Sequence, residues 1–280
     1  MKLSGAVAVL ASKHDPAGMN IASHLLPKLR GPSQNGGVPA PNARLVLLDE
    51  DLVCADGFPE SLSPRPDLAI FASRHESESG QPCLTVHAPG NIGESLHGGR
   101  GRHLSIASPL EMKEALRALK ALNSNPRFQV TLEATHHGPL TEVPSFFIEI
   151  GSSPPDWRNE AAGEVLAKAI LCVLDHPIRP GPVAVGVGGP HYSPGFTELV
   201  IDTEFSVSHV VPKHQIGVVD DSMLQMLFER SSPRATFAVL DWKGIRGEDR
   251  RTLVASMDRA GLRHARLRDC LHGRGVPSTS

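Results

Sequence analysis

The stretch AVAVLASKHDPAGMNIASHLLPKL, residues 6–29, decides the class of fold. Ala6 to Ser12 is a short apolar run of the kind that forms a strand covered on both faces. Asp15-Pro16 then opens a segment to Leu29 in which apolar residues return at helical spacing, with Pro16 in the first turn, where its missing N–H is harmless. Outward from this strand–helix unit the pattern repeats. Strands are expected at Arg44–Leu48, Leu68–Ala72, Leu84–His87, Phe128–Ala134, Phe146–Ile150, Val183–Val187, Val207–Val211 and Phe237–Leu240. Helices are expected at Met112–Leu122, Asp156–Leu174, Asp221–Arg230 and Glu248–Ala260. Ser108-Pro109-Leu110-Glu111 announces the first of these as a capping box, and Trp157, Ala161, Val165, Ala169 and Cys172 give the second one apolar face. Strands alternating with helices predict an α/β fold, a largely parallel or mixed sheet with helices on both faces, formed by residues 1–280 as a single domain.

A chain of 280 residues buries about 75% of its unfolded surface, so it needs neither disulfide nor metal merely to fold. Twenty-eight Lys plus Arg against 30 Asp plus Glu give a net charge of −2, which excludes a generally basic nucleic-acid or DNA binder. Cys54, Cys83, Cys172 and Cys270 are far apart and match no zinc-finger spacing, so they read as reduced thiols in a cytoplasmic protein. Leu3 to Ala11 resembles a short signal peptide, but Ser4 and Gly5 interrupt it and Lys13-His14-Asp15 follow. A first strand is the better reading, and no run suits a membrane span. Gly31 to Pro41 reads as a surface loop or linker.

Fourteen histidines stand out, and six fall at or beside five expected strand ends: His75, His87, the His136-His137 pair, His191 and His209. In an open α/β sheet the carboxyl ends of parallel strands share one rim, where ligands bind. A lone histidine in a turn is commonly a surface donor or helix cap. Five such strand ends on one rim point instead to a shared polar or metal site. Adjacent side chains on a strand face opposite ways, so His136 and His137 can serve one site only if the chain turns, as Gly138-Pro139 would allow. Glu133 either orients one of them or pairs with a basic neighbour. Gly186-Val187-Gly188-Gly189-Pro190 lacks the spacing of a phosphate loop. HExxH and GxSxG are absent.

SRHESESG (73–80), LTVHAPGN (84–91), EATHHGP (133–139), FIEIGSS (147–153 with Phe147 first), GVGGPHYSPGFTEL (186–199) and SHVVPKH (208–214) resemble, in order, the archaeal and plant type of D-aminoacyl-tRNA deacylase. The resemblance implies a phosphorylase/hydrolase-like α/β fold and a Zn2+-dependent hydrolase that cleaves the ester between a D-amino acid and the 3′ end of tRNA. It would act as a monomer with no membrane partner. On this reading His136, His137 and His191 supply metal ligands or the general base, and Glu133 supports them. Lys213 and His214 face the terminal phosphate or the oxyanion. Tyr192 stacks on the terminal adenine or is a core aromatic with a bonded hydroxyl. His75, His87, Asn91, Gly188, Gly189 and His209 complete the substrate-binding set.

Two other readings compete: a zinc peptidase or nucleoside phosphorylase-like hydrolase on the same kind of fold, and a non-catalytic tRNA-binding protein with structural histidines. The charge distribution bears on the second. Asp241 to Gly275 holds nine Lys or Arg against five acids, a net of +4 that leaves −6 elsewhere. It is either a solvated helix face or a local contact to the tRNA backbone.

Overall fold

The computed structural model describes residues 5–30, 42–78 and 80–274, so Gly31 to Pro41 lies outside the described residues. The first half builds β1 (Val7–Ser12), α1 (Pro16–Arg30), β2 (Ala43–Leu48), α2 (Phe58–Ser61), β3 (Leu68–Glu76), β4 (Cys83–His87), β5 (Gly90–Asn91), β6 (His103–Leu104), α3 (Pro109–Leu122), β7 (Gln129–Leu132) and β8 (Ser145–Ser152). The second half adds α4 (Pro154–Trp157), α5 (Glu160–Asp175), β9 (Val183–Val187), α6 (Pro194–Asp202), β10 (Ser206–Val211), α7 (Asp221–Glu229), β11 (Phe237–Leu240), α8 (Gly247–Arg259), β12 (His264–Arg266) and α9 (Leu267–Leu271). Among the described residues, no helix is long and apolar enough to cross a membrane.

Two sheets organise these elements. The larger has the order β2-β1-β3-β8-β4-β7, and its pairs are parallel except for β4, which runs antiparallel to β8. The smaller, β10-β9-β11-β12, is parallel throughout. The inner strands β1, β3, β8, β9 and β11 are covered on both faces, which is why most of their sequences read as apolar runs, while the edge strand β2 is only half-buried. Helices α1, α3 and α5 cover one face of the larger sheet through Ile21, Leu25, Leu116 and Ile170, packed with Ile70, Ile148 and Ile150. Its other face is apolar only near β1, where Leu10, Phe71 and Phe147 meet Leu52 and Ala55.

The helix expected over Asp156–Leu174 is two elements. Asn159 interrupts it, and its side chain accepts a hydrogen bond from the Ala162 amide (2.9 Å) to cap α5. The Ser108 capping box also differs in detail. Helix α3 begins there, but the Ser108 hydroxyl donates to the Glu111 carboxylate (2.6 Å) and not to the backbone. Helix α6 was not among the expected helices, although Phe196, Leu199 and Val200 after Ser193-Pro194 carry its buried face.

Candidate active site

Strand β8 places the site. Phe146, Ile148 and Ile150 point into the main core, so by the two-residue period Phe147 and Glu149 face the other side. The register sets Ser73 and Thr85 beside Glu149, and Phe71 and His87 beside Phe147. His75 pairs with Gly151. A polar row therefore crosses the middle of the sheet. Because β4 is antiparallel, His75 and His87 do not share the single rim that parallel strands would give. They meet over one face.

Residues 133–137 close that face. Beyond β7, the Glu133 amide donates to Val86 O (3.0 Å), Ala134 to His191 O (2.9 Å) and Thr135 to Val210 O (2.9 Å). The segment is thus bonded to β4, to the loop after β9 and to β10. His137 then adopts a left-handed backbone (φ 44°), which brings the adjacent His136 and His137 rings to 4.2 Å between centroids. For a non-glycine residue that conformation costs on the order of 1–3 kcal/mol, a kind of strain that clusters at functional sites. Gly138 is required next, since a Cβ there would collide with the Gly99 amide and the Val53 carbonyl.

The electrostatics follow from two buried carboxylates. Glu149 Oε1 accepts a hydrogen bond from Ser73 Oγ (2.6 Å), and Glu133 Oε2 pairs with His191 Nε2 (3.2 Å). His75 Nδ1 lies 3.3 Å from Glu133 Oε1 and 3.5 Å from Glu149 Oε2, while its Nε2 bonds the Tyr192 hydroxyl (2.8 Å). Burial opposes charge on His75, but the two facing carboxylates outweigh it and its pKa is pushed up to about 12. Burial would also raise Glu133, yet His191 and His75 hold it well below the usual carboxylate range. His136 and His137 go the other way. Burial, then the neighbouring His87, depresses both, His137 to about 4, so both are neutral at pH 7.

The donor set suits a metal ion. His87, His136 and His137 each donate Nδ1–H to a backbone carbonyl, of Ala88 (3.2 Å), Ala134 (2.8 Å) and Gly138 (2.6 Å). A carbonyl only accepts, so each ring carries a proton on Nδ1, and the neutral His136 and His137 keep a lone pair on Nε2, as metal-ligating histidines do. Burial opposes charge on His87, but Glu149, 3.5 Å from its Nε2, outweighs it and raises its pKa. The three rings form one group whose ligand atoms lie within 4.8 Å of one another. His75, Glu133, His136 and His191 form a second, and His87, Glu133 and Glu149 a third. His87 Nε2 faces Glu149 Oε2 at 3.5 Å and Glu133 Oε1 faces His75 Nδ1 at 3.3 Å, contacts of opposite charge that fall short of good hydrogen-bond geometry and leave these buried atoms able to take a metal ion.

Comparison with known proteins decides the family. A family model described as D-aminoacyl-tRNA deacylase matches residues 62–265. The chain belongs to the D-aminoacyl-tRNA deacylase family. A relative of that name from Thermococcus kodakarensis is 36% identical over 270 residues, covering 92% of this chain and 98% of its own. Another from Methanosarcina mazei is 37% identical over 275 residues, covering 92% of this chain and 91% of its own. A crystal structure of a conserved protein of unknown function superposes with a TM-score of 0.88 at 30% identity, over 99% of this chain and all of that one.

In this member of the deacylase family, the site residues read from sequence fall into three groups. His75, His87, Glu133, His136, His137, His191 and Tyr192 come together. His87, however, is 0% exposed and cannot touch substrate. It is a ligand candidate. His75 has both ring nitrogens engaged inside the cluster and steadies the carboxylates. His137 and His191 flank His136 from two sides and fall in different candidate ligand groups, His136 and His137 with His87, and His136 and His191 with His75 and Glu133. The second group is structural. His209 Nε2 donates to Arg230 O (2.8 Å) and its Nδ1 meets Thr135 Oγ1 (3.2 Å), leaving the buried ring nothing to offer a substrate. Asn91 is buried and bonds Gly98 O (2.9 Å) to hold its loop. Gly188 and Gly189 have positive φ (104° and 80°), and Cβ atoms there would press on Asp241. They seat the loop after β11, not a ligand. In the third group, Lys213 and His214 are exposed on the turn after β10, outside the cluster.

A cavity of about 330 Å³ opens onto this cluster, lined by Asp15, Ser73, Arg74, His97, Phe147 and Glu149 with His75, His136 and His137 among others. Glu149 is the residue that sequence reasoning missed. Its signal was present, since an acid sits at the centre of the apolar run FFIEI (146–150) where a strand covered on both faces should be uninterrupted.

Proposed function

We propose that the chain hydrolyses the ester of D-aminoacyl-tRNA, releasing free D-amino acid and tRNA, with Zn2+ held by His87, His136 and His137. The observation that carries the metal reading is the shared anchoring of these three rings, each with Nδ1 on a backbone carbonyl and Nε2 left for a ligand, in one group. Bound there, zinc would supply a water with a pKa near ~7 and polarise the ester carbonyl. Glu133 Oε2 accepts the Nε2–H of His191, so the imidazole presents Nδ1 as the base for a proton leaving water. His191 suits that task because its side chain is 37% exposed while Glu133 is fully covered. Glu149 and His75 keep Glu133 and His87 in place. The family relationship supports the substrate class, and a cytoplasmic location fits it. Reading residues 1–280 as one domain draws support from the main core, to which Ile148 and Leu84 of the larger sheet and Phe237 and Val207 of the smaller both contribute.

The test is deacylation of matched D- and L-aminoacyl-tRNA, with and without a chelator, alongside metal analysis. D-ester hydrolysis lost on chelation and restored by zinc is expected. Undiminished turnover in a metal-free sample removes zinc from the mechanism, and equal inertness toward both esters removes the deacylase reading.

A further inference from the structure

The basic segment that begins at Asp241 is sorted by the structure into used and unused charges. Arg259 pairs with Asp221 (3.5 Å) and Arg268 with Asp269 (3.8 Å). Lys243, Arg246, Arg251 and Arg266 are exposed and pair with no carboxylate among the described residues. Arg250 and Arg266 both lie over the Trp242 ring, with guanidinium carbons 4.6 Å and 4.3 Å from its centroid. Two like charges on one ring repel each other; Arg250 Nη2 donates to Ile245 O (2.8 Å), and its Nε is buried without a partner. An anion beside the ring would relieve that repulsion. The ring faces a groove of about 410 Å³ lined also by Arg250, Arg251 and Val254. Of the nearby acids, Asp258 is 3.3 Å from His264, and Asp241 Oδ1 accepts the Gly244 amide (3.3 Å). Asp258 also lines the groove, and with Asp241, Glu248 and Asp249 it offsets part of the positive charge of the patch.

This face is tied through the chain to the candidate active site. The loop after β11 packs Asp241 against Gly188 and Gly189, and Lys213 N donates to Gly189 O (2.9 Å), which holds the turn carrying the exposed Lys213 against that loop. Two residues on, His191 and Tyr192 enter the histidine cluster. We propose that Trp242, Lys243, Arg246, Arg250, Arg251 and Arg266 grip the sugar-phosphate backbone of the tRNA arm whose 3′ ester enters the cavity, an inference that rests on the deacylase reading. The guanidinium groups take phosphate oxygens, and Trp242 holds two of them ready, so that one short surface serves an otherwise acidic protein.

The experiment compares wild type, the triple variant Lys243→Gln/Arg246→Gln/Arg251→Gln, Trp242→Ala, and a control triple Lys28→Gln/Lys120→Gln/Lys168→Gln on α1, α3 and α5. Each is assayed for binding of deacylated tRNA across a salt series and for hydrolysis of both D-aminoacyl-tRNA and D-aminoacyl-adenosine, which has no backbone to grip. The patch triple should weaken tRNA binding about tenfold or more and flatten the slope of log affinity against log salt by about 2–3. It should lower kcat/KM for the full tRNA ester and leave the adenosine ester unchanged. Trp242→Ala should share this pattern, and the control triple should not. Equal tRNA affinity and salt slope in wild type and patch triple overturn the surface assignment, as does patch-dependent capture of anionic phospholipid vesicles without tRNA binding. Failure to hydrolyse either ester overturns the deacylase reading instead, while the binding arm still judges the surface.

Discussion

The two sheets contrast sharply in what they bury. In the smaller sheet, β9 reads VAVGV and β11 FAVL, and these strands hand apolar side chains to the cores on either face. In the larger sheet, β3, β4 and β8 are equally buried, yet on one face they carry Ser73, His75, Thr85, His87 and Glu149. Apolar residues at those positions would give a more stable sheet, because buried charges are rarely net stabilising. Sites that violate local packing rules are where function is expected. The smaller sheet also buries Ser206, Ser208 and His209 on β10, but the histidine and carboxylate cluster lies on the larger sheet.

Three measurements can break or sharpen that contrast. Glu133→Gln, on the polar face, should lower D-aminoacyl-tRNA turnover by about 10²- to 10⁴-fold with the fold intact. Stopped assays on the purified variant, with circular dichroism as the fold control, check it, and near wild-type turnover would erase the distinction between the sheets. Leu227→Ala, on α7 beneath the smaller sheet and 0% exposed, should cost about 2–5 kcal/mol of stability. Urea unfolding measures that cost, and turnover per folded molecule should not change.

The smallest effect concerns His209, buried where the two sheets join. Burial depresses its pKa from 6.5 to about 4. Between those values the unfolded chain binds a proton that the native ring refuses, so stability is full above about pH 6.5 and is lost as pH falls toward 4. His209→Gln removes this titration and should flatten the pH dependence in that window, by up to about 1.4 kcal/mol per pH unit. Parallel wild-type and variant curves from urea unfolding at several pH values would show that His209 is not held neutral.

Much of this was legible in sequence, because the relevant signals are local. The strand runs, the helix caps and the clustering of histidines near strand ends all follow from periodicity and residue type. The direction of β4 was not legible. Nothing in LTVH states which way it pairs, and on that direction depends whether His75 and His87 share a rim or a face. The roles of individual histidines were hidden for a related reason. His136 and His209 both follow apolar segments, and only tertiary hydrogen bonds distinguish a ring with a free Nε2 from one whose nitrogens are both engaged. The packing of Gly188 and Gly189 against Asp241 was hidden in the same way, since that partner is about fifty residues away along the chain. Glu149 could have been found by asking why an acid interrupts a doubly covered strand.

The bonds made by residues 133–135 have a consequence for assembly. Val86, His191 and Val210 come from widely separated parts of the chain, and all must be in position before Glu133, His136 and His137 can take their places. Glu133, His136 and His137 are therefore stitched into the seam where the sheets dock and belong to neither half alone. If they act as proposed, a partly folded chain would have nowhere to hold a metal ion, and competence to react would depend on that docking. Metal uptake would then serve as a readout of completed docking.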